Sequence, residues 1–490
     1  KPLVPLNEIT FKDFGEKGNW IGGCDAASAS SQNLDVTTPY WGKKIASIPL
    51  SVGDDLNTAV EVASKAWPAW RDTPVGTRTQ VMFQLKSLME RDYKELAELV
   101  ALENGKTIPE AKGSIDRGID VIEFSTSFTN VLRGEVLTVS KGVSCESLYE
   151  PIGVVAGITP FNFPVMVPLW MIPIAITAGN CFILKPSEQT PLSAMKMAEL
   201  MSEAGLPAGV FSVLNGAKNV VQAITDHPNI KAVAFVGSSK IAEIVYSRST
   251  ANGKRALCLG GAKNHLIVTP DANEQTTVNG VISSSMGSAG QRCMAASVMV
   301  GVDNVDGIID AVVNNSRNLK LGEDMGAVIS AAAKDRISSM IDEAEQDGAQ
   351  IILDGRNVDP PANYENGYWL GPTIIDQAKP DMTCAQEEIF GPVLTIVRAG
   401  SLEEAIEIEN GSLYGNAASV FTTSGSVSRY VSENASAGMV GVNVGVPVPR
   451  DPFSFGGWNQ SKYGHGDITG TSGLSFWTDL RKVTTRWPAK

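Results

Sequence analysis

The stretch IGVVAGITPFNFPVMVPLWMIPIAITAGNCFILK (152–185) decides the fold, because it places two strand-like apolar runs one helix length apart. Both runs, IGVVAGI (152–158) and CFILK (181–185), have the length and composition of strands that are covered on both faces of a sheet. Residues 151–184 carry no charge, which would also fit a membrane span. Prolines and asparagines interrupt the stretch repeatedly, so we interpret it as a buried strand, a helix and a second strand.

Strand-like runs separated by helix-length segments continue along the chain. Before the first of them, residues 56–71 and 78–103 have the apolar spacing of helices. The series predicts an α/β fold with a doubly wound parallel sheet, then a second α/β layer, and a cleft between two lobes. The further runs are VFSVLN (210–215), AVAFVG (232–237), HLIVT (265–269), IILD (351–354), VLTIVRA (393–399), AASVFTT (417–423) and MVGVNVG (439–445).

Two other segments have the pattern of exposed strands. Residues 133–150 resemble a hairpin with few buried positions, and residues 475–487 alternate like an edge strand. Exposed strand edges tend to associate unless something covers them. We therefore expect a homo-oligomer, with a tetramer favoured over a dimer.

Composition excludes several classes of protein. With 43% apolar and 19% charged residues, the chain of 490 residues can bury a globular core. A net charge of −13 argues against nonspecific binding of nucleic acid or of an anionic membrane. The six cysteines form no CxxC pair and the three histidines share no ligand spacing, so we predict neither a metal site nor a disulfide framework. A reducing cytoplasm is the expected location.

The leading candidate for a reactive side chain is Cys293, in the segment GSAGQRC (287–293). Most lone cysteines are small buried packing residues, and residue type alone leaves that alternative open. Small residues precede Cys293, as expected where a ligand approaches the backbone, and the adjacent Arg292 favours the thiolate. No histidine is a plausible partner for it, which argues against a protease and favours attack on an aldehyde.

Asn162 lies in the loop TPFNFP (159–164), directly after the first core strand. Its amide is either a turn-forming group between two prolines or a hydrogen-bond donor to an oxyanion formed at a cysteine. The local sequence leaves both interpretations open.

Two strand ends could bind a nucleotide. In AFVGSSKIA (234–242), Ser238 precedes a helix whose N-terminus can bind a phosphate. In ILKPSE (183–188), Lys185 and Glu188 follow a strand, where a carboxylate binds ribose hydroxyls and repels a 2′-phosphate. This arrangement favours NAD over NADP; alternatively, Lys185 and Glu188 form an exposed ion pair of little energetic effect.

Seven motifs, taken in order, closely resemble the aldehyde dehydrogenase superfamily over nearly all the chain. They are TPFNFP (159–164), ILKPSE (183–188), FVGSS (235–239), LGGAKN (259–264), GQRC (290–293), EEIFGPV (387–393) and PFSFGGW (452–458). The resemblance implies that Cys293 is the catalytic nucleophile and that Asn162 is the oxyanion donor. The residues it implies for binding NAD are Thr159, Phe161, Lys185, Glu188, Gln189, Ser238, Gly260, Glu388 and Phe390.

The resemblance also implies three parts of the chain. Residues 1–132 and 152–262 would form a Rossmann-like NAD-binding domain, and residues 263–458 an α/β catalytic domain. Residues 133–151 and 472–490 would form a β-strand oligomerisation element, with residues 459–471 as a connecting segment.

The sequence departs from the hydrolytic members of the superfamily in the run CLGGAKNH (258–265). Those members carry a glutamate before Leu-Gly-Gly, where it activates water. Here the alignment places Cys258 or Leu259 at that position, and neither side chain is a general base. A thiol acceptor needs less activation than water, because its pKa is about 8.5. The departure therefore favours coenzyme A as the acyl acceptor.

The same motifs resemble the methylmalonate-semialdehyde dehydrogenase branch, which is CoA-acylating. That resemblance implies oxidation of methylmalonate or malonate semialdehyde to propionyl-CoA or acetyl-CoA, with release of CO₂ through a cysteine thioester. Arg292 and Arg117 match the two arginines that bind the substrate carboxylate in this branch, although Arg117 could instead lie on a solvated helix face. Gln189 replaces an arginine that is frequent in the branch. The alternative function is a hydrolytic semialdehyde dehydrogenase that yields a free carboxylate.

Overall fold

The computed structural model describes residues 9–488 and has the predicted α/β fold class. The first eight residues of the predicted cofactor domain and the last two of the predicted oligomerisation element lie outside the described residues. The helices are, in chain order, α1 (Gly53–Asp72), α2 (Val75–Arg91), α3 (Tyr93–Asn104), α4 (Ile108–Thr126), α5 (Phe128–Val131), α6 (Met166–Thr177), α7 (Leu192–Glu203), α8 (Lys218–Asp226), α9 (Ser239–Ala251), α10 (Glu274–Met286), α11 (Asp306–Arg317), α12 (Ala331–Gln346), α13 (Thr383–Gln386), α14 (Leu402–Asn410), α15 (Gly425–Asn434) and α16 (Gly470–Phe476).

The strands form two large sheets and three small ones. They are, in chain order, β1 (Asn19–Ile21), β2 (Cys24–Ala26), β3 (Asn33–Thr38), β4 (Lys43–Pro49), β5 (Glu135–Ser140), β6 (Val143–Pro151), β7 (Val154–Ile158), β8 (Cys181–Lys185), β9 (Phe211–Val213), β10 (Ile230–Val236), β11 (Arg255–Leu259), β12 (Asn264–Val268), β13 (Ala296–Val302), β14 (Gln350–Leu353), β15 (Thr373–Asp376), β16 (Val393–Ala399), β17 (Tyr414–Gly415), β18 (Ala417–Phe421), β19 (Met439–Val442), β20 (Trp458–Asn459), β21 (Lys462–Tyr463) and β22 (Thr478–Arg486).

The first large sheet has the strand order β2-β1-β9-β8-β7-β10-β11-β21. Strands β9, β8, β7, β10 and β11 are parallel, and the chain winds outward from β7 in both directions. This is the doubly wound arrangement that the sequence predicts. Because the strands are parallel, the loops that follow β7, β8, β10 and β11 leave the sheet at the same edge.

The second large sheet has the order β14-β15-β16-β13-β12-β18-β19 and is parallel except where β14 pairs with β15. Buried apolar residues form two separate clusters, and each cluster contains one of the large sheets. The edge strand β21 comes from the segment 459–471, so this segment completes the first sheet. The chain therefore has two α/β lobes, as the two series of apolar runs predict.

The uncharged stretch 151–184 forms β7, α6 and the start of β8, and every residue of α6 is buried. Asn180 satisfies the backbone around it. Its Oδ1 accepts the N–H groups of Ile152 and Gly153, at 2.8 and 3.1 Å, and its Nδ2 donates to the carbonyl oxygens of Ala175 and Trp477, at 3.0 and 2.9 Å. Between residues 9 and 488, no helix is long and apolar enough to cross a membrane.

A third sheet, of order β22-β6-β5, joins the predicted hairpin to the C-terminal strand. Every residue of β5 is exposed, including Val136 (72% exposed) and Leu137 (67%). Leu148 of β6 and Leu480 of β22 are exposed as well. β5 pairs with β6 on one side only, and exposed apolar side chains on such an edge strand are typical of a surface that associates with another chain. This is the geometric basis for the predicted oligomerisation element.

We propose that this sheet joins copies of the chain, and we expect a charge on it to dissociate them. The double substitution Val136→Asp and Leu137→Asp should at least halve the particle mass measured by sedimentation, because burying carboxylates in an apolar interface is unfavourable. Phe83→Asp on α2 is the control, since Phe83 is 48% exposed but lies outside the sheet. An unchanged mass in the double variant, or an equal loss in the control, would contradict the assignment.

Candidate active site

Asn162 lies in the loop after β7 and points toward the segment that carries Cys293. Its side chain is buried, and Nδ2 donates to the carbonyl oxygen of Gln291 at 3.0 Å. The Oδ1 atom has no hydrogen-bond partner among the described residues. One amide N–H is therefore fixed against the nucleophile segment, and the second remains for a ligand.

The segment before Cys293 forms a tight turn in which three successive residues have left-handed backbone conformation. After α10 ends, Ser288 and Ala289 adopt φ values of 53° and 52°, and Gly290 adopts 69°. A Cβ on Gly290 would lie 1.8 Å from the carbonyl oxygen of Gly391, so only glycine fits there. This turn brings the chain from α10 to Arg292 and Cys293.

Two asparagines, which sequence reasoning did not identify, hold the main chain at Cys293. Nδ2 of Asn264 and Nδ2 of Asn416 both donate to the Cys293 carbonyl oxygen, at 2.8 and 2.9 Å. Asn264 belongs to the quoted motif LGGAKN (259–264), so the sequence could have identified it as a candidate site residue. Asn416 lies between the short strand β17 and β18, outside any quoted motif, and nothing in the local sequence identifies it. Together the two amides fix the orientation of the Cys293 peptide.

The pKa of the Cys293 thiol is raised, whereas the sequence predicted that it would be lowered. Burial raises the pKa of the Cys293 thiol to about 12, and the charge of Glu388 acts in the same direction. Arg292 does lower this pKa, as predicted, but burial outweighs it. Burial therefore outweighs the adjacent cation in its effect on the pKa of the Cys293 thiol, and that cation alone does not account for a thiolate.

Cys293, Arg292 and Arg117 line one cavity of about 400 Å³. Its apolar wall includes Phe163 and Trp170. The cavity matches the predicted proximity of the two arginines to the nucleophile, and it adds Arg450, which sequence reasoning did not single out.

The two predicted arginines are held differently. Arg117 Nη1 pairs with Asp120 Oδ2 at 2.9 Å, while its side chain remains 37% exposed. Arg292 Nη2 donates to the carbonyl oxygens of Ser283 and Ser284, the second at 3.0 Å, and its Nε has no partner among the described residues. Both guanidinium groups therefore keep donors for an anionic ligand in the cavity.

The predicted cofactor residues of the first lobe lie at one edge of its sheet. Thr159 follows β7 and donates its backbone N–H to Lys185 O at 3.1 Å. Lys185 is buried and pairs with Glu188 at 3.0 Å, so the exposed ion pair considered as an alternative is in fact half enclosed. The backbone N–H of Gln189, the next residue, donates to Ser187 Oγ at 3.2 Å. Ser238 precedes α9, and its exposed hydroxyl makes no capping hydrogen bond.

The second lobe contributes Glu388 and Phe390 to the same edge. Glu388 Oε1 accepts the N–H of Ala262 at 3.0 Å, directly after Gly260 and Gly261. The rings of Phe161 and Phe390 meet edge to face at 5.8 Å. Burial raises the pKa of Glu388 to about 7. These groups offer carboxylates for ribose hydroxyls and a free helix N-terminus for a phosphate, which suits a dinucleotide.

No general base occupies the position of the hydrolytic glutamate. Cys258 is fully buried in β11, where burial raises its pKa, and neither Cys258 nor Leu259 lines the cavity. Two of the carboxylates that do line it are engaged, Glu110 by backbone N–H groups and Asp120 by Arg117. Asp451 retains an oxygen without a described partner, and burial raises its pKa to about 6. No group of His, Cys, Asp or Glu side chains in residues 9–488 is arranged to hold a metal ion.

Comparison with known proteins places this architecture in a family. The malonate-semialdehyde dehydrogenase 1 of Geobacillus kaustophilus is 45% identical over 476 residues, which are 96% of this chain and 97% of the relative. The crystal structure of methylmalonate-semialdehyde dehydrogenase from Oceanimonas doudoroffii superposes with a TM-score of 0.95 at 42% identity, covering 97% of this chain and 99% of the other.

A second solved structure is equally similar. It is a protein from Sinorhizobium meliloti, provisionally named methylmalonate-semialdehyde dehydrogenase, in complex with NAD; its TM-score is 0.95 at 42% identity, covering 97% of this chain and 98% of the other. The model of the aldehyde dehydrogenase family matches residues 26–483. With this match and these relatives, the chain belongs to the aldehyde dehydrogenase family.

Proposed function

We propose that the protein oxidises malonate or methylmalonate semialdehyde, with NAD and coenzyme A, to acetyl-CoA or propionyl-CoA and CO₂. The observation that carries this proposal is the cavity in which Cys293 lies with Arg117 and Arg292. Neither Cys258 nor Leu259, the two residues that could align with the glutamate of hydrolytic enzymes, is a carboxylate. Relatives named for these two semialdehydes support the substrate class.

Catalysis begins at Cys293. Its Sγ gives up a proton to water, and the thiolate bonds to the aldehyde carbon while the C=O π electron pair moves to the oxygen. The resulting oxyanion accepts hydrogen bonds from Asn162 Nδ2 and from the Cys293 N–H. Bound NAD would supply the acceptor for the hydride that leaves this carbon, and loss of that hydride would leave an acyl thioester on Cys293. Asn264 and Asn416 hold the main chain directly after this N–H donor, through the carbonyl oxygen of Cys293.

Loss of CO₂ follows from the position of the substrate carboxylate, β to the thioester carbonyl. As the carbon–carbon bond breaks, its electron pair moves toward the thioester oxygen, where the oxyanion donors stabilise the enolate, and a proton then completes the acyl group. The thiolate of coenzyme A attacks the acyl carbon and releases Cys293.

The residues at this edge of the sheet are sufficient to hold NAD, and no further binding group has to be assumed. Lys185 and Glu188 would hold the adenosine ribose, Ser238 at the start of α9 would contact the phosphates, and Glu388 would hold the nicotinamide ribose. Thr159, Phe161, Gln189, Gly260 and Phe390 complete the site in this proposal. The carboxylate of Glu188 favours NAD over NADP, because a 2′-phosphate would be repelled.

Dependence on coenzyme A tests the proposal directly. Without it, the enzyme should form at most about one NADH per active site from malonate semialdehyde, because the thioester on Cys293 has no efficient acceptor. With it, NADH should form continuously and stoichiometrically with acetyl-CoA. Sustained turnover without coenzyme A, with a free carboxylate as product, would instead support the hydrolytic alternative, and Asp451→Asn would then identify the base.

Cys293→Ala should abolish NADH formation while NAD still binds, because no cofactor contact is assigned to the thiol. Cys258→Ala is the matched control and should retain activity.

In the unmodified enzyme, alkylation of Cys293 by iodoacetamide should accelerate about tenfold per pH unit from neutrality upward, because only the thiolate reacts and the thiol pKa lies well above this range. Substantial turnover by Cys293→Ala would refute the mechanism.

Arg117→Leu should lower kcat/KM for malonate semialdehyde at least tenfold, since a charge-assisted hydrogen bond contributes about 1.5–3 kcal/mol. The value for propionaldehyde, which has no carboxylate, should change little. Steady-state kinetics with both aldehydes check this, because a folding defect would depress both alike. Equal losses would mean that Arg117 does not bind the carboxylate.

A further inference from the structure

One short segment contacts both loops that form the proposed oxyanion site. It runs from Asn104 at the end of α3 to Glu110 in the first turn of α4. We call it the 104–110 turn. It lies in the first lobe, yet it bonds to the Asn162 loop of that lobe and to the nucleophile turn of the second lobe.

Lys106 binds the backbone of the oxyanion residue itself. Its side chain is buried, and Nζ donates to the carbonyl oxygen of Asn162. The same nitrogen lies 4.2 Å from the centre of the Phe163 ring. Burial lowers the pKa of the Lys106 amine to about 7, but the charged and the neutral amine can both donate to this carbonyl, so the contact restrains the loop in either state.

Two further bonds stiffen the same contact. Asn104 Nδ2 donates to the carbonyl oxygen of Phe161 at 2.8 Å, so two successive carbonyls of the loop are held by the 104–110 turn. The Tyr40 hydroxyl donates to the carbonyl oxygen of Lys106, and Tyr40 is fully buried. The lysine is thereby fixed at its main chain as well as at its ammonium group.

Glu110 binds the nucleophile turn from the other end of the segment. Its Oε1 accepts the N–H of Ser288 at 2.6 Å, and its Oε2 accepts the N–H of Thr107 at 3.1 Å. Ser288 is the first of the left-handed residues that lead to Cys293. One carboxylate therefore caps α4 and anchors the strained turn that presents the nucleophile.

We propose that Lys106 and Glu110 are positioning residues of the oxyanion site. Lys106 sets the Asn162 amide through the backbone of that residue, and Glu110 sets the Cys293 N–H through the turn at Ser288. This inference rests on the proposed roles of Asn162 and Cys293. Because both residues belong to one helix start, the two donors keep their separation even though they come from different lobes.

A double-mutant cycle tests Lys106. Lys106→Met should lower kcat for NADH formation at least tenfold, with KM for NAD changed less than threefold. In an Asn162→Ala background, where kcat is already about 10²–10³ lower, Lys106→Met should cost less than a further threefold. Lys106→Gln, which keeps an N–H donor, should recover part of the loss and provides a second variant if the first unfolds.

Lys254→Met is the matched control. Lys254 is also buried, and its Nζ also donates to backbone carbonyl oxygens, those of His227 and Ile230, but it does not line the cavity. It should lower the thermal unfolding midpoint without lowering kcat tenfold. If Lys106→Met costs the same factor with and without Asn162, Lys106 does not act through that residue and the inference is wrong.

Rescue by a conservative variant tests Glu110. Glu110→Ala should lower kcat at least tenfold, whereas Glu110→Gln, whose amide oxygen can still accept the Ser288 N–H, should stay within threefold of the unmodified enzyme. Glu409→Ala is the control, because Glu409 is buried and accepts the N–H of Ser436 at 2.9 Å away from the cavity. Equal losses in Glu110→Gln and Glu110→Ala would overturn the positioning role.

Failure of the proposed function can be distinguished from failure of the positioning role alone. If Cys293→Ala or Asn162→Ala retains full kcat, the assignment of the oxyanion site itself is wrong. If both lose activity as expected while Lys106→Met and Glu110→Ala retain it, only the positioning role is refuted.

Discussion

The close approach of two backbones, at Gly290 and Gly391, is the constraint on which the active site depends. The contact leaves no room for a side chain at Gly290 and accompanies left-handed backbone at Ser288 and Ala289. Such a conformation costs about 1–2 kcal/mol for each residue with a side chain. The structure offsets this cost with hydrogen bonds to the turn, including the one from Ser288 N–H to Glu110. Cys293 is thus presented on a segment that has little freedom to relax.

The two lobes meet at this turn, and specific polar contacts join them there in addition to apolar ones. Asn162 from the first lobe bonds to Gln291 of the second, and Glu388 from the second bonds to Ala262 beside the first. Oxyanion stabilisation requires donors that are placed before the reaction, since donors that must reorganise lose most of their effect. A site split between two lobes therefore benefits from directional cross-links of this kind, which fix the donors more closely than apolar packing alone.

The sequence predicted the buried strands, whose apolar runs recur along the chain, and those candidate site residues that lie in contiguous motifs. Apolar runs identified β7, β8, β10, β12, β16 and β18, because a strand buried on both faces leaves an uninterrupted signal. The predicted helix 78–103 is two helices, since Asp92 leaves helical geometry with ψ of 15° and its carboxylate binds Arg91. Asn416 and Lys106 act on backbone atoms distant in sequence, a contact that no local pattern records.

The acidity of Cys293 shows why chemistry is harder to predict than position. The sequence correctly placed a cation beside the thiol, but the balance between that cation and burial depends on the surrounding lobes, and burial dominates. A neutral thiol reacts slowly with oxidants and alkylating agents until it is deprotonated. In the proposed function, the arginines of the same cavity bind the substrate carboxylate. A site that is rich in fixed donors and poor in free carboxylates suits acyl transfer to a thiol, which brings its own nucleophile, better than transfer to water, which must be activated.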